Sequence, residues 1–209
     1  MNMNKSVAQA LLEINAVGFS LEKPIVFKSG IISPVYVDNR KLPFFPTNWK
    51  TVLEALALLI EESRIEFDVV AGIETAGIPH SAALGFMLKK PSVFVRKQAK
   101  DHGTKKMVEG GDVRGKRVLL IEDHVTTGGS SLAGVKSLRA EGAIVTDCLS
   151  ITSYEFEEVT KAFGYAQVTL HTATTFQAIL TEAVVMKKMN EVEMATVKNW
   201  LGNPHDWGK

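Results

Sequence analysis

Short unbroken apolar runs, each followed by small or polar residues and then by an amphipathic segment, recur through the middle of this chain. Val118-Leu-Leu-Ile121 leads into Glu122 and Asp123, then into Thr126-Thr-Gly-Gly-Ser-Ser131. Beyond it Leu132, Val135 and Leu138 fall at helical spacing up to Ala140. Asp68-Val-Val-Ala-Gly-Ile73 leads in the same way into Glu74-Thr-Ala-Gly-Ile-Pro79. Such runs read as strands buried on both faces, and strand, small-residue turn, helix is the repeating unit of parallel α/β sheets. Pro91 to Val95 and Ala143 to Ile151 add two more strands. The pattern predicts an α/β domain with a mainly parallel sheet over 68–73, 92–95, 117–122 and 143–151. Helices should cover both faces, and ligands should sit at the carboxyl ends of the strands.

The flanks follow other periods. Residues 4–17 predict an amphipathic helix capped by Asn4 and ended at Gly18, with Val7, Leu11 and Ile14 on one face. Pro24 to Asp38 predicts two short strands about a turn at Ser29-Gly30. A long helix is expected over 49–62, a helix over 156–163, a short strand over 168–171, and two terminal helices over 175–186 and 191–201. Between Arg96 and Gly111 the apolar periodicity disappears, and three glycines and five positive side chains take its place. Long polar connections of this kind are either solvated or functional.

The chemistry concentrates in Val118 to Ser131. Gly128 and Gly129 let the backbone turn sharply and approach a ligand. The amides of the turn and of the first helical turn lack partners, and the helix dipole adds partial positive charge. Thr126, Thr127 and Ser130 add hydroxyls, so a phosphate is the guest this turn suits. Glu122 and Asp123 would repel it, and are expected to face a neutral, hydroxyl-rich group beside it, such as a ribose. An ordinary strand-to-helix connection capped by Ser or Thr uses similar residues. The acid pair separates the two readings, because leaving both carboxylates unpaired costs electrostatic free energy.

Val118 to Ser131 resembles the phosphoribosyl-diphosphate (PRPP) binding signature of type I phosphoribosyltransferases. It departs at His124, where that family carries an aliphatic or small residue. Phe27-Lys-Ser-Gly30 with Ser33-Pro-Val-Tyr-Val-Asp-Asn-Arg40 resembles the N-terminal element of the family's orotate branch, departing at Ile31, where an arginine is common. Glu74 to Pro79 resembles the loop that contacts diphosphate. Arg96-Lys97, Lys100 and Asp101-His-Gly103 resemble the loop that closes over the neighbouring subunit's active site.

The resemblance implies transfer of the 5-phosphoribosyl group from PRPP to orotate, giving orotidine 5′-monophosphate and diphosphate on the way to UMP. It implies PRPP binding by Lys28, Thr75, Ala76, Gly77, Arg96, Lys97, Lys100 and His102, and along Glu122, Asp123, His124, Val125, Thr126, Thr127, Gly128, Gly129 and Ser130. Orotate falls to Tyr36, Val37 and Thr126, and departure of diphosphate to Arg96, Lys97, Lys100 and His102. Mg²⁺ is implied through PRPP oxygens and water rather than a protein cage. A homodimer is implied in which the 96–110 loop reaches the neighbouring site. Residues 1–209 are expected as one domain, with 1–45 a hood over the base site. Some family members place an arginine on orotate after the strand over 143–151; Thr152 to Glu155 offers none. His80 reads as a packed residue rather than a catalyst.

Charge and composition exclude more than they assign. The formal charge is +1 over 209 residues, so no global field draws nucleic acid or a membrane surface. The single cysteine, Cys148, sits in an apolar stretch and rules out a disulfide framework within the chain. No apolar run approaches membrane-spanning length and Met1 to Glu13 lacks a signal-peptide core, so a cytoplasmic protein is expected. A phosphoribosyltransferase for another base, a PRPP-sensing regulator that binds nucleic acid, and a generic α/β nucleotide binder remain as alternatives.

Overall fold

The structure, a computed structural model, describes residues 3–27, 29–98 and 106–208, so Lys28, Lys100 and His102 lie outside the described residues. The chain divides into two compact units, residues 1–51 with 174–209, and residues 52–173.

Helix α1 (Met3–Glu13) opens the first unit and buries Val7, Ala8, Leu11 and Leu12. Its expected ends both shift. Asn4 lies inside the helix, and its backbone carbonyl and Oδ1 accept from Thr174 Oγ1 (2.8 Å) and the Thr175 N–H (3.1 Å). The helix is left through Asn15 at φ 52°, a conformation that asparagine tolerates better than most residues. Gly18 falls in strand β1 (Val17–Phe19). The predicted hairpin forms from β2 (Ile25–Val26) and β3 (Ile32–Ser33), paired antiparallel. Its second limb breaks at Pro34, which has no N–H for a ladder. The Ser33 hydroxyl spans the break, donating to the Val35 carbonyl and accepting from the Val35 N–H, and the chain resumes as β4 (Val35–Val37) against β1. A 3₁₀ turn (Asn39–Phe44) then feeds α2 (Pro46–Glu62), with proline at its first position, where no N–H is needed.

The second unit is a six-stranded sheet with helices. In chain order it contains β5 (Val69–Ile73), α3 (Gly77–Leu88), β6 (Ser92–Val95), β7 (Val108–Glu109), β8 (Val118–Val125), α4 (Gly129–Ala140), β9 (Asp147–Ser153), α5 (Glu157–Tyr165) and β10 (Thr169–Thr175). The strand order is β10-β9-β8-β5-β6-β7; β9, β8, β5 and β6 are parallel, and β7 is antiparallel to β6. Strand β5 is buried along its whole length, which is why its sequence reads as unbroken apolar rather than alternating.

Several predicted boundaries move, among them the end of β10, which runs to Thr175 rather than to 171. Strand β8 does not stop at Glu122, because its ladder with β9 continues through His124↔Thr152 and Val125↔Ser153. The acid pair therefore lies within the strand. Strand β9 begins at Asp147 rather than at Ala143, with only an Ile144 bridge to Arg117 ahead of it, and it runs through Ser153. Strand β7 arises inside the polar connection, where no strand is predicted.

Helices α6 (Phe176–Val185) and α7 (Glu191–Gly202) complete the first unit. Helix α6 packs along α1. Thr175 caps α6 through its side chain, and α7 opens with a capping box between Asn190 and Glu193. Trp200 is fully buried; it donates its Nε1–H to the Ile32 carbonyl (2.9 Å) and meets Phe27 edge-on. Among the described residues no helix is long and apolar enough to cross a membrane.

Candidate active site

Parallel strands deliver their following turns to one edge of a sheet, and the register sets Ile73 beside Val95 and Gly72 beside Ile121. The turn after β5 holds Thr75, Ala76 and Gly77. Arg96 and Lys97 follow β6, and Thr126 to Ser130 follow β8. These predicted residues of the second unit thus meet at one edge. Tyr36 and Val37 lie in β4 of the first unit, where the Tyr36 hydroxyl accepts from Arg40 Nη2 (2.8 Å) and Arg40 Nε donates to Asp38 (2.6 Å). His80 is fully buried in α3, as a packed residue would be.

Two glycines shape the edge for different reasons. A Cβ on Gly77 would stand 2.5 Å from the Ile121 carbonyl oxygen, so only glycine lets the first turn cross this close to β8. Gly128 has φ 80° and begins α4, where no side chain takes the capping bond. Its face is pressed by Phe163, whose ring would lie 2.9 Å from a Cβ. With the cap open, the first amides of α4 at Gly129 and Ser130, both exposed, stay available as donors at the positive end of the helix dipole.

Glu122 is buried and Asp123 is partly open. The Glu122 carboxyl accepts from Ser131 Oγ (3.4 Å) and from the Asp123 N–H (3.3 Å). Burial first, and the Asp123 charge second, push the Glu122 carboxyl above the ordinary range. The pair therefore holds a proton toward neutral pH. It can both accept from and donate to a diol, and it repels a neighbouring phosphate less than two full charges would.

The His124 ring is engaged below the edge. Its Nδ1 lies 2.9 Å from Thr152 Oγ1, and its ring meets Tyr154 edge-on at 4.4 Å. Nε2 is shielded from solvent and has no hydrogen-bond partner among the described residues. Burial lowers the imidazole to about 3, so the ring is neutral.

The described ends of the connection after β6 are held by carboxylates that the sequence pattern does not single out. The Lys97 N–H donates to Glu74 Oε2 (2.8 Å). The Arg96 guanidinium donates to the Gln98 carbonyl (3.1 Å) and lies 3.7 Å from Glu109. On the returning side Glu141 accepts from the Met107 and Val108 N–H groups at 2.9 and 3.0 Å. A carboxylate that binds backbone amides leaves no periodic mark in a sequence, so no pattern could have found these two. Among the described residues no three His, Cys, Asp or Glu side chains converge as a metal cage. A separate cavity of about 360 Å³ between α5 and β10, lined by Val159, Phe163, Val168 and Leu170 with threonines at its rim, has no cation in its lining and does not suit a phosphate.

Comparison with known proteins identifies the family. Residues 48–154 match the model of the phosphoribosyl transferase domain. The chain is 38% identical over 207 residues to an orotate phosphoribosyltransferase of Coxiella burnetii, covering 99% of each chain. It is 40% identical over 209 residues to one of Listeria innocua, covering 100% of each. The crystal structure of orotate phosphoribosyltransferase from Aeropyrum pernix superposes with a TM-score of 0.74 at 31% identity, over 84% of this chain and 97% of that one.

Proposed function

The chain belongs to the phosphoribosyltransferase family, in the branch of its full-length orotate phosphoribosyltransferase relatives, and from that premise we propose the reaction and the parts that perform it. The enzyme transfers the 5-phosphoribosyl group of PRPP to orotate, giving orotidine 5′-monophosphate and diphosphate, in the cytoplasmic synthesis of UMP. One observation carries the assignment of parts: two anion-receptive turns leave neighbouring strands at one sheet edge, and the strand that leads into the second carries an adjacent pair of carboxyls. PRPP has the matching layout, a phosphate and a diphosphate at opposite ends of a diol-bearing sugar.

In this reading Thr126 to Ser130 grip the 5′-phosphate, and Glu122 and Asp123 the ribose hydroxyls. Thr75, Ala76 and Gly77 present amides to the diphosphate. The reaction is substitution at the anomeric carbon; the bond to diphosphate breaks early and the ribose becomes oxocarbenium-like. A ring nitrogen of orotate is the nucleophile, so no covalent enzyme nucleophile is needed. Positioning and charge stabilisation are the protein's task. Arg96, Lys97, Lys100 and His102 assist departure of diphosphate, with Lys28 beside it, and Tyr36, Val37 and Thr126 address orotate. Residues 1–45 serve as the base-binding element. The carboxylates present suit a diol better than a metal cage, so Mg²⁺ would be held through PRPP oxygens and water. Bound there, it neutralises charge on the leaving group. A homodimer in which the 96–110 loop serves the neighbouring site belongs to the same proposal.

The test is orotate absorbance with protein, orotate, PRPP and Mg²⁺, each omitted in turn. Consumption only in the complete mixture is the expected result. PRPP-dependent consumption of a different base moves the specificity, and PRPP binding without turnover replaces the enzyme by a regulator. Lys100→Ala should lower kcat far more than it raises the KM for PRPP; the reverse split removes its leaving-group role.

A further inference from the structure

Glu74 is the residue at which β5 gives way to the turn, and it holds the end of β6 twice. Its N–H donates to the Val95 carbonyl (2.9 Å), and its side-chain Oε2 accepts the Lys97 N–H (2.8 Å). The residue between, Arg96, faces the other way and donates its N–H to the Met107 carbonyl (2.8 Å). A parallel ladder would continue with a backbone acceptor for Lys97, but past Glu74 the chain turns away toward Gly77. The carboxylate stands in for the missing carbonyl and extends the β5–β6 ladder by one bond. The opposite stem is held independently, by Glu141 on the Met107 and Val108 amides.

The position is a costly one for a negative charge. A carboxylate one residue from the Thr75–Gly77 turn repels any anion bound there. We propose that Glu74 is a positioning residue for diphosphate: its carboxylate ties the backbone at Lys97 to the Thr75–Gly77 turn. The amides of the turn and the cations after β6 then face one ligand as a unit. This rests on the reading of the site as one for PRPP. Glu74 touches no reacting atom; it acts through Lys97.

The distinction between acceptor and charge makes the proposal testable. Glu74→Gln keeps a side-chain carbonyl that accepts the Lys97 N–H and removes the charge, whereas Glu74→Ala removes both. Amide hydrogen exchange at Lys97 reads the tether without substrate, and calorimetric titration with diphosphate reads its consequence without turnover. Ribose 5-phosphate, which reports on the Thr126–Ser130 turn, is the control ligand. In Glu74→Ala we expect Lys97 exchange to accelerate and diphosphate affinity to fall roughly 10-fold, the value of one charged hydrogen bond, with ribose 5-phosphate changed less than about 2-fold. Glu74→Gln should keep Lys97 protected and hold diphosphate at least as well as the parent, because the repulsion is gone. An unprotected Lys97 amide in the parent overturns the proposal. So does unchanged diphosphate affinity in Glu74→Ala, an equal loss for both ligands, or a Gln variant as weak as Ala. A parent that binds diphosphate and protects Lys97 but turns over no PRPP defeats the functional reading and leaves the tether standing.

Discussion

The turns after β5 and β8 are built from the same unit, strand, small residues, helix, yet glycine serves them in opposite ways. At Gly77 the constraint is space: the Ile121 carbonyl occupies the volume a Cβ would need. At Gly128 the constraint is conformation, a left-handed φ of 80°, with the movable ring of Phe163 as its neighbour. The first turn is thereby packed onto the sheet, and the second depends on a left-handed backbone. The second follows a strand that carries the acid pair, and the first opens on a single carboxylate turned onto backbone. Two similar motifs in one sequence therefore carry different tolerances.

The sharpest way to break this contrast is Gly77→Ala. Its methyl meets rigid backbone, so unfolding by urea should show a loss of about 3 kcal/mol, as overpacking does, together with loss of turnover. A stable, active variant would show that the turn can move away from β8. Next in size is Asp123→Asn, expected to lower kcat/KM by about 10- to 100-fold, the scale of charged hydrogen bonds to a ribose, with little change in stability. It should also lower the Glu122 carboxyl, since the Asp123 charge that helps to raise it is removed; carboxyl NMR titration checks this. Burial still acts on Glu122, so the value should stay above that of an exposed carboxyl.

Gly128→Ala is milder, about 1–2 kcal/mol from the left-handed backbone, because the Phe163 ring can yield. Its signature should be a raised KM for PRPP, with the KM for orotate unchanged. The smallest effect at neutral pH belongs to His124→Leu. The folded imidazole titrates at about 3 against an ordinary value of 6.5. Protonation thus favours the unfolded chain; the stability is complete above about pH 6.5 and is lost as pH falls toward 3. The leucine variant lacks that loss, so its urea midpoint should decline less between pH 7 and pH 4. Parallel declines would mean that the ring is not buried neutral.

Much of this was legible where burial imposes a period. The all-apolar runs mark β5 and the first half of β8, which are covered on both faces, and β6 matches its predicted span of 92–95. What escaped was decided by partners rather than by pattern. Strand β7 is two residues long and exists through Val95↔Val108 and Phe94↔Glu109. Strand β8 outlives its apolar run because β9 supplies a ladder beside Glu122, His124 and Val125. Asn15 ends α1 where a glycine is expected, and Gly18 pairs in a strand instead. The site follows the same division. Gly128 and the acid pair stand out in the sequence, whereas Glu74, Glu141 and the Thr152–Tyr154 seat of His124 become visible only when distant segments meet.

The first unit joins residues from both ends of the chain: Asn4 bonds to Thr174 and Thr175, and Ile32 to Trp200, across separations of 168 to 171 positions. On a ribosome adding roughly 5–20 residues per second, α1 leaves the exit tunnel long before α6 exists. The sheet of 52–173 can close while α1 and the β2–β3 hairpin still wait, exposed, for their partners. Nascent chains stalled short of residue 174 should therefore hold α1 accessible to chaperones and proteases. Completing the last helices is the event that withdraws it.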